Sequence, residues 1–454
     1  MPNHRRTFGQ SVDRTDAHRL EDLRRVERQV RSIITTRDDP AFEERLISDI
    51  QQRRSGSRRI PFAWIPDKYG GNTLAAAGKE QLLVRAEDDE RVRALLEGPR
   101  YNLNRQVVEG LDNRVVAYSS DEVTPDTLAN LASSLRKQGL PVSANYMTPL
   151  GGRVKAVASP ENTEGATPQF PEAEANASIA SPVRVIVIDT GVHGRARRDG
   201  WLQDLETDEN GEVLDDSPPG GDGFLDLAAG HGSFCAGIVQ QIAPAADIKV
   251  YNPIDSDGFV DELKVATELV KQVRKGLEDG KDVVANLSFG AETADDERPV
   301  ALGVALEIID EASREFKHDV LVVAAAGNFG HNRECYPAAF PTVTAVAALT
   351  QDLTPAAWSS RGAWVDVCTI GEGVRSTFVP GTESPVTDPR SEVFPDNAWA
   401  LWSGTSFAAP QVAGAIAKIA IDDGVAPTEA KRRLLEGAHE IPLYGKQVEI
   451  LPRI

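Results

Sequence analysis

Residues 404–410 read Gly404-Thr405-Ser406-Phe407-Ala408-Ala409-Pro410, and the apolar residues that follow predict a helix from 412 to 420. The N-terminus of a helix carries N–H groups without intrahelical partners and the positive end of the helix dipole. A serine held there is well placed to attack a carbonyl and to have the resulting oxyanion stabilised. Ser406 taken alone is more simply read as a helix N-cap, because Ser and Thr are favoured at caps. The rest of the chain must decide between these readings.

Short apolar runs and long amphipathic segments occupy the chain before this stretch. The apolar runs predict strands at 183–188, 247–251, 282–287, 320–325 and 342–349, and the clearest amphipathic segments predict helices at 260–277 and 299–316. Apolar strands that alternate with helices indicate a mostly parallel, doubly wound sheet covered on both faces, which is an α/β fold. Functional sites in such folds collect at the carboxyl ends of the strands.

Three further polar residues fall where that rule places a site. Asp189 follows the first apolar run, His231 stands between two glycines at the start of a predicted helix, and Asn328 follows the run that ends near Gly327. Each has an ordinary structural alternative, since an Asp often caps a turn and a lone His is often structural. Together with Ser406 they supply a hydroxyl nucleophile, an imidazole base, a carboxylate to orient the base, and an amide that can donate to an oxyanion.

Asp189, His231 and Ser406 stand in the chain order of the subtilisins. Residues 183–454 resemble a subtilisin-like serine protease, a subtilase, and further similar stretches are 286–290, 336–341 and 358–362. The resemblance implies that Ser406 is the nucleophile and His231 the general base, later the acid. It also implies that Asp189 orients His231, and that Asn328 and the backbone N–H of Ser406 form the oxyanion hole.

The same resemblance implies that a polypeptide substrate binds as an added strand between two segments of the protein. These segments would be Ser288-Phe289-Gly290 and Gly258-Phe259-Val260, and the first pocket would be walled by Ala325-Ala326-Gly327. Glu334 or Cys335 would lie near the base of that pocket. The two phenylalanines could equally be ordinary packing residues.

Two other functions are compatible with parts of the pattern. The first is a catalytically silent subtilisin-fold module that binds peptides, and the presence of competent residues at all four catalytic positions counts against it. The second is an esterase of the α/β-hydrolase type, which requires Gly-x-Ser-x-Gly and the order Ser, Asp, His. The chain has neither feature. A serine endopeptidase that forms an acyl-enzyme is therefore the leading prediction.

Residues 60–157 show a β-α-β-β-α-β pattern, which is typical of a small ferredoxin-like α+β unit. The predicted elements are a strand at 81–86, a helix at 89–98, a hairpin of strands 105–111 and 114–119 across Asp112-Asn113, a helix at 124–138 and a strand at 142–147. The resemblance to subtilases implies a propeptide that inhibits the enzyme as a zymogen. A permanent accessory domain is the alternative. Residues 158–182 have a linker composition and would contain the site of self-cleavage.

Residues 1–59 contain fourteen Arg and no Lys. Helical spacing of apolar residues predicts two amphipathic helices, one carrying Leu20, Leu23, Val26, Val30 and Ile33 and one carrying Phe42, Leu46, Ile47 and Ile50. We expect this Arg-rich segment to take part in regulation or in docking a regulatory protein partner, because an endoprotease in the cytoplasm must be restrained.

Composition excludes several other classes of protein. A net charge of −20 argues against nucleic acid as a partner. The chain has no run of 18 apolar residues and no apolar segment after its basic start, so neither a membrane span nor a secretory signal is expected. These features predict a cytoplasmic protein, secreted only if its N-terminus has been trimmed. Three scattered cysteines do not form a disulfide framework.

The sequence predicts that no cofactor is required, and it leaves calcium binding open. The calcium-binding loop that secreted subtilisins insert after the catalytic His is absent here. Glu206, Asp208 and Asn210 before Gly211 faintly resemble a calcium loop, but Ser217 stands where the last carboxylate is expected. A solvated turn is the preferred interpretation.

Cys235 lies four residues after His231, where some subtilases place a cysteine against the catalytic His. If Cys235 lies there, bulky thiol reagents should inhibit the enzyme. A small buried apolar role is the alternative.

Overall fold

The computed structural model describes residues 15–37, 62–66, 72–76, 82–96, 103–120, 125–148, 160–163, 181–216, 220–385 and 391–454. The second predicted N-terminal helix, at 42–50, lies outside the described residues, as does Ser217. Most of the predicted linker, from 164 to 180, lies outside them as well.

The N-terminal region begins with a long helix and continues into a small α+β unit. Its elements are α1 (Asp16–Arg37), β1 (Phe62–Pro66), β2 (Asn72–Ala76), β3 (Leu82–Arg85), α2 (Asp89–Leu96), β4 (Asn104–Val107), β5 (Val115–Ser119), α3 (Pro125–Arg136) and β6 (Val142–Ala144). The last six have the predicted β-α-β-β-α-β order, and their strands form an antiparallel sheet in the order β4-β5-β3-β6. One face of the sheet packs on both helices through Leu82, Val84, Val92 and Leu135.

The predicted hairpin in this unit is wrong in one of its strands. The strand expected at 105–111 ends at Val107, and Glu109–Leu111 form a 3-10 turn instead. A Cβ added at Gly110 would lie 2.2 Å from the Cγ2 atom of Thr267, so the turn is pressed against the following part of the chain. This close approach, which periodicity does not reveal, ends the strand early. Similarly, the strand expected at 142–147 ends at Ala144.

The rest of the chain forms a large α/β domain. Its elements are β7 (Glu161–Asn162), β8 (Val183–Ile188), α4 (His231–Ile242), β9 (Asp247–Tyr251), α5 (Glu262–Glu278), β10 (Asp282–Leu287), β11 (Ala291–Glu292), α6 (Val300–Phe316), β12 (Val320–Ala325), β13 (Cys335–Tyr336), β14 (Val343–Leu349), β15 (Val367–Ile370), β16 (Val374–Thr377), β17 (Gly381–Thr382), β18 (Val393–Phe394), β19 (Trp399–Trp402), α7 (Thr405–Asp423), α8 (Pro427–Leu434), β20 (Glu440–Ile441) and β21 (Gly445–Gln447).

An eight-stranded sheet in the order β20-β21-β15-β14-β12-β10-β8-β9 forms the centre of this domain. Every neighbouring pair in it is parallel except β20-β21. The central strands are runs of Val, Ile and Ala buried on both faces, as in β8, where all six residues are buried. Helices α4 and α7 cover one face and helices α5 and α6 cover the other, each with its own apolar core. The predicted mostly parallel α/β fold is confirmed.

Helix α7 begins seven residues before its predicted start. It was expected from 412, but it starts at Thr405 and so contains Ser406 and Pro410. Proline is normally excluded from a helix interior because it has no N–H for the carbonyl four residues earlier. The carbonyl deprived in this way is that of Ser406, which matters for the site described below.

Helix α1 packs on a three-stranded antiparallel sheet in the order β16-β19-β7. The residues it buries are Asp22, Arg25, Val26, Gln29 and Ile33. The predicted apolar face is therefore wrong at its N-terminal end, since Leu20 is 52% exposed and Leu23 is 44% exposed. Strand β7 lies within the predicted linker, where composition gave no sign of it. Among the described helices, none is long and apolar enough to cross a membrane.

Candidate active site

Asp189 and His231 meet where strand β8 ends and helix α4 begins. The Nδ1 atom of His231 lies 2.8 Å and 3.0 Å from the two carboxylate oxygens of Asp189, and both residues are buried. The strand end and the helix start approach so closely that a Cβ added at Gly232 would lie 2.1 Å from the carbonyl oxygen of Gly191. Only glycine fits at position 232, so the glycine after His231 allows the carboxylate and the imidazole to meet.

A buried carboxylate that the sequence analysis missed ties these two elements together. Glu212 accepts hydrogen bonds from the Thr190 hydroxyl, from the Gly230 N–H at 2.8 Å and from the Ser233 hydroxyl at 2.5 Å. Thr190 in turn donates its N–H to Asp189 at 2.8 Å. Glu212 therefore links the strand end that carries Asp189 to the first turn of the helix that carries His231. No motif surrounds Glu212, which lies in an acidic loop between the two.

Ser406 lies in the first turn of α7 and is held by the segment after strand β10. Its hydroxyl donates to the carbonyl of Ser288 at 3.0 Å, and the hydroxyl of Ser288 donates back to the carbonyl of Ser406 at 2.8 Å. The Ser406 carbonyl is free to accept this bond because Pro410 has no N–H to offer it. The sequence thus joins the nucleophile candidate to one of the predicted substrate-binding segments.

Asn328 stands beside the same helix start. Its side-chain oxygen accepts from the N–H of Thr405 at 3.0 Å and from the Thr405 hydroxyl at 2.9 Å. The Thr405 hydroxyl also accepts the N–H of Gly327 at 3.1 Å. With its oxygen used in these bonds, the NH₂ group of Asn328 is the end left to donate. The structure therefore places Asn328 against Thr405, the residue before Ser406.

Cys235 lies beneath the catalytic candidates. Its Sγ is 3.9 Å from Nδ1 of His231 and 3.5 Å from the carbonyl oxygen of Ser406. Burial, followed by the negative charge of Asp189, raises the pKa of the Cys235 thiol well above its usual value. Asp189, His231 and Cys235 form the one group in the described part of the chain with metal-ligand geometry. The Nδ1 atom of His231 lies 2.8 Å from the Asp189 carboxylate, which is a direct hydrogen-bond distance, so this group fits a catalytic pair better than a metal site.

The predicted segment 288–290 contacts Ser406 through Ser288, and the phenylalanines of both predicted substrate-binding segments are packing residues. Phe289 is fully buried in the core between the sheet and α5–α6, and Phe259 is also buried. Backbone rather than these side chains is what the two segments can offer to a peptide.

Cys335 lies beside Gly327 of the predicted pocket wall and beside Gly290. A Cβ added at Gly290 would lie 2.7 Å from Cys335 Sγ, and one added at Gly327 would lie 3.1 Å from it. Cys335 therefore lies against the predicted wall at Gly327 and against Gly290 of the predicted substrate segment, whereas the carboxylate of Glu334 accepts a hydrogen bond from the Tyr336 hydroxyl. Ala325 and Ala326 are buried beside Gly327 at the end of β12.

The other predicted substrate segment is already paired with the N-terminal region. Thr148 donates its N–H to the carbonyl of Val260 at 2.7 Å, and Glu262 donates its N–H to the carbonyl of Tyr146 at 2.9 Å. Met147 and Asp261 form an antiparallel bridge between these bonds. Residues 146–148 thus lie as an added strand along the segment that begins at Gly258.

The residues that faintly resemble a calcium loop are engaged in local bonds. Glu206 accepts the N–H groups of Gly194 and Arg195, and Asp208 pairs with the Arg195 guanidinium. The side chain of Asn210 donates to the carbonyls of Leu205 and Val250. The polar side chains of this loop are thus occupied by bonds to nearby backbone groups and to Arg195.

Comparison with known proteins agrees with this arrangement. The model described as the subtilase family matches residues 181–443, which is more than half of the chain. Subtilisin BL of Lederbergia lenta is 28% identical over 260 residues, covering 55% of this chain and 81% of that protein. Thermitase of Thermoactinomyces vulgaris is 28% identical over 250 residues, covering 52% of this chain and 73% of that protein.

A solved structure also shares the fold. The crystal structure of fervidolysin from Fervidobacterium pennivorans, a keratinolytic enzyme related to subtilisin, has a TM-score of 0.53 with 17% sequence identity. The match covers 86% of this chain and 62% of fervidolysin. The chain belongs to the subtilase family and is a subtilisin-like serine endopeptidase.

Proposed function

We propose that Ser406, His231 and Asp189 carry out peptide-bond hydrolysis through an acyl-enzyme. The observation that carries this proposal is the Asp189–His231 pair, whose Nδ1-to-carboxylate distance of 2.8 Å fixes the imidazole with Nδ1 protonated. That leaves Nε2 as the basic nitrogen. Cys235 contacts both His231 and the carbonyl of Ser406, so the pair and the serine belong to one cluster.

In the proposed reaction, the Ser406 hydroxyl attacks the substrate carbonyl and passes its proton to Nε2 of His231. The NH₂ group of Asn328 and the backbone N–H of Ser406 donate to the oxyanion that forms. His231 then gives the proton to the leaving amine, and water repeats the sequence on the acyl-enzyme. Asp189 stabilises the imidazolium throughout. The reaction uses protein side chains and water, so we propose that it needs no cofactor.

The alternative is a catalytically silent peptide-binding module. One observation favours it, since the Ser406 hydroxyl donates to the carbonyl of Ser288. Rotation about one side-chain bond would redirect that hydroxyl, so the observation describes a resting position as well as a silent site.

The decisive experiment compares the wild-type chain with Ser406→Ala, using a fluorophosphonate label for active serines and a casein substrate. We expect the wild type to become labelled at Ser406 and to degrade casein, and the variant to do neither. If the folded wild type, freed of residues 1–148 by an added protease, neither accepts the label nor cleaves casein, the silent module is the correct reading.

We further propose that residues 60–157 act as a propeptide and that the chain is a self-inhibited zymogen. Three ion pairs join this region to the helices on one face of the sheet: Arg85–Glu307, Arg114–Glu311 and Asp112–Arg274. Leu83, Leu111, Val115 and Ala117 belong to the same buried core as α5 and α6. Pairing of residues 146–148 with the segment after Gly258 supports inhibition, because a substrate strand would need that edge.

The contacts of Thr148 and Glu161 move the proposed region of self-cleavage to the residues between them. Thr148 is bonded to the carbonyl of Val260, and Glu161 lies in β7, which pairs with β19, the strand that leads directly to Ser406. Thr148 and Glu161 are therefore held against two different segments of the catalytic domain. We therefore propose cleavage within 149–159, which overlaps the 158–182 linker only at residues 158 and 159. N-terminal sequencing of the purified wild-type protein, with Ser406→Ala as the uncleaved control, tests this range, and a new N-terminus beyond 163 would contradict it.

Two further proposals concern the cellular setting. All three cysteines are free and buried, which suits a reducing compartment such as the cytoplasm. We also propose that the Arg-rich segment 1–59 takes part in regulation, and the contacts of α1 indicate how.

A further inference from the structure

Helix α1 is bound to the catalytic domain through polar groups that are buried on both sides. Asp22 is fully buried and pairs with Arg375 of strand β16 at 2.7 Å, while Arg25 packs against Asp22 at 3.1 Å. A buried carboxylate needs such partners, because an unpaired one is expensive to desolvate. An incidental surface contact would not have one member of the ion pair fully buried and the other, Arg375, only 14% exposed.

Gln29 adds a second, more specific contact. Its amide NH₂ donates to the carbonyl of Leu401 at 2.8 Å, and its oxygen accepts from the Ser403 hydroxyl at 2.7 Å. Leu401 lies in β19, and Ser403 is the residue after this strand, three positions before Ser406. A single side chain therefore uses both ends of its amide to recognise the strand that leads to the nucleophile.

Apolar contacts complete the surface. Val26 lies so close to Gly373 that a Cβ added there would be 2.3 Å from a Val26 methyl group. Ile33 is 2% exposed and belongs to the core shared with α4 and α7. The docking surface, made of Gly373, Arg375, Leu401 and Ser403, thus matches α1 in both shape and charge.

An ion pair between Arg28 and Glu161 joins residues on either side of the proposed cleavage region. Arg28 of α1 donates to both carboxylate oxygens of Glu161 in β7, with the Nε bond at 3.1 Å. Arg28 precedes residues 149–159 and Glu161 follows them. After cleavage, this ion pair and all the other α1 contacts would join two separate polypeptides.

We propose that α1 is a second anchor that keeps the cleaved N-terminal part bound to the catalytic domain. The partner of the docking surface is then residues 15–37 of this same chain. The first anchor is the α+β unit on α5 and α6 with its 146–148 strand, and α1 lies at a separate surface on β16 and β19. Two linked contacts dissociate far more slowly than either alone, because release of one leaves it at high effective concentration near its site. This inference rests on the proposed zymogen function.

The test uses the full chain in the inactive Ser406→Ala form, with a recognition site for an added site-specific protease placed within 149–159. After cutting, dissociation of the N-terminal part is followed by size-exclusion chromatography and by the rate at which it leaves an immobilised catalytic part. Asp22→Ala combined with Gln29→Ala is expected to speed dissociation at least tenfold. Glu21→Ala combined with Arg24→Ala is the matched control, because that pair lies on the exposed side of α1, and it should leave the rate unchanged.

Arg28→Ala is the variant least expected to disturb folding. Its side chain is 35% exposed, and its loss leaves the core of the α1 contact intact. It should speed dissociation to a smaller extent at an unchanged melting temperature of the uncut chain. Equal rates for the Asp22/Gln29 variant, Arg28→Ala and the control would overturn the second anchor. Because an added protease makes the cut, this result does not depend on whether Ser406 is active, and a failure of self-cleavage would be seen only in the earlier experiment.

Discussion

The two halves of the proposed catalytic site are held in different ways. Asp189 and His231 are fixed by a network of buried side chains, in which Glu212 joins the strand end to the helix start. Ser406 and Asn328 are fixed mainly by the motif Gly404–Pro410 itself and by backbone carbonyls. The first half therefore depends on Glu212, which belongs to no recognisable motif. The second half is supported by residues that adjoin Ser406 in the chain.

The largest effect is expected from the carboxylate of the first half. Asp189→Asn should lower kcat by about 10⁴, a magnitude taken from other Ser-His-Asp enzymes including a subtilisin, because the amide favours the wrong imidazole tautomer. Initial rates on a peptide substrate at saturating concentration measure it, with the exposed Asp204→Asn as control. A loss below tenfold would mean that His231 is oriented by something other than Asp189.

The second half should be less sensitive to a single change. Asn328→Ala is expected to lower kcat by about 10²–10³ with little change in KM, a range whose reference measurement is itself on a subtilisin. The exposed neighbour Asn332→Ala provides the control. If KM rises while kcat is kept, Asn328 binds the ground state rather than the oxyanion.

The carboxylate that supports the first half should show a smaller effect of the same kind. Glu212→Gln replaces one acceptor oxygen by an NH₂ group that cannot accept from Ser233 or Thr190, so we expect kcat to fall about tenfold as Asp189 and His231 lose alignment. KM should stay near its original value. The exposed Glu209→Gln is the matched control, and equal kcat values for the two variants would show that Glu212 has only a structural role.

The smallest effect concerns the cysteine between the two halves. Burial raises the pKa of Cys235 and Cys335 well above the usual range and that of Cys368 to about 12. At pH 8 all three therefore stay as unreactive thiols, since the thiolate is the nucleophile. Although Cys235 lies against His231, its burial replaces the earlier expectation of inhibition by thiol reagents: iodoacetamide should label none of the three cysteines in the native protein and all three after unfolding, as counted by mass spectrometry. Rapid native labelling at Cys235 with loss of activity would show that the site opens in solution.

Sequence patterns were most informative where one local property determines the structure. Strands β8, β9, β10 and β12 have the predicted bounds because strands buried on both faces are continuous apolar runs with abrupt ends. The Asp, His and Ser motifs could be located because their glycines and the strand ends stand beside them in the chain.

Tertiary contacts explain what the patterns did not predict. Strand β7 exists because β19 pairs with it, and its own composition is that of a linker. Helix α1 buries Asp22 and Gln29 because Arg375 and Ser403 face them, so a search for apolar periodicity chose Leu20 and Leu23 instead. Glu212 looks like any other acid of its loop until the fold places it beneath Thr190.

The bond from the Ser406 hydroxyl to the Ser288 carbonyl has a consequence for timing. That carbonyl lies on a segment to which a substrate strand would add, and an incoming peptide N–H would compete for it. Once the carbonyl is taken, the hydroxyl must find another acceptor, and the basic nitrogen of His231 offers one. In an empty site the Ser406 hydroxyl would thus stay bonded to the Ser288 carbonyl. Binding of a peptide that takes over this carbonyl would itself release the hydroxyl to donate to His231.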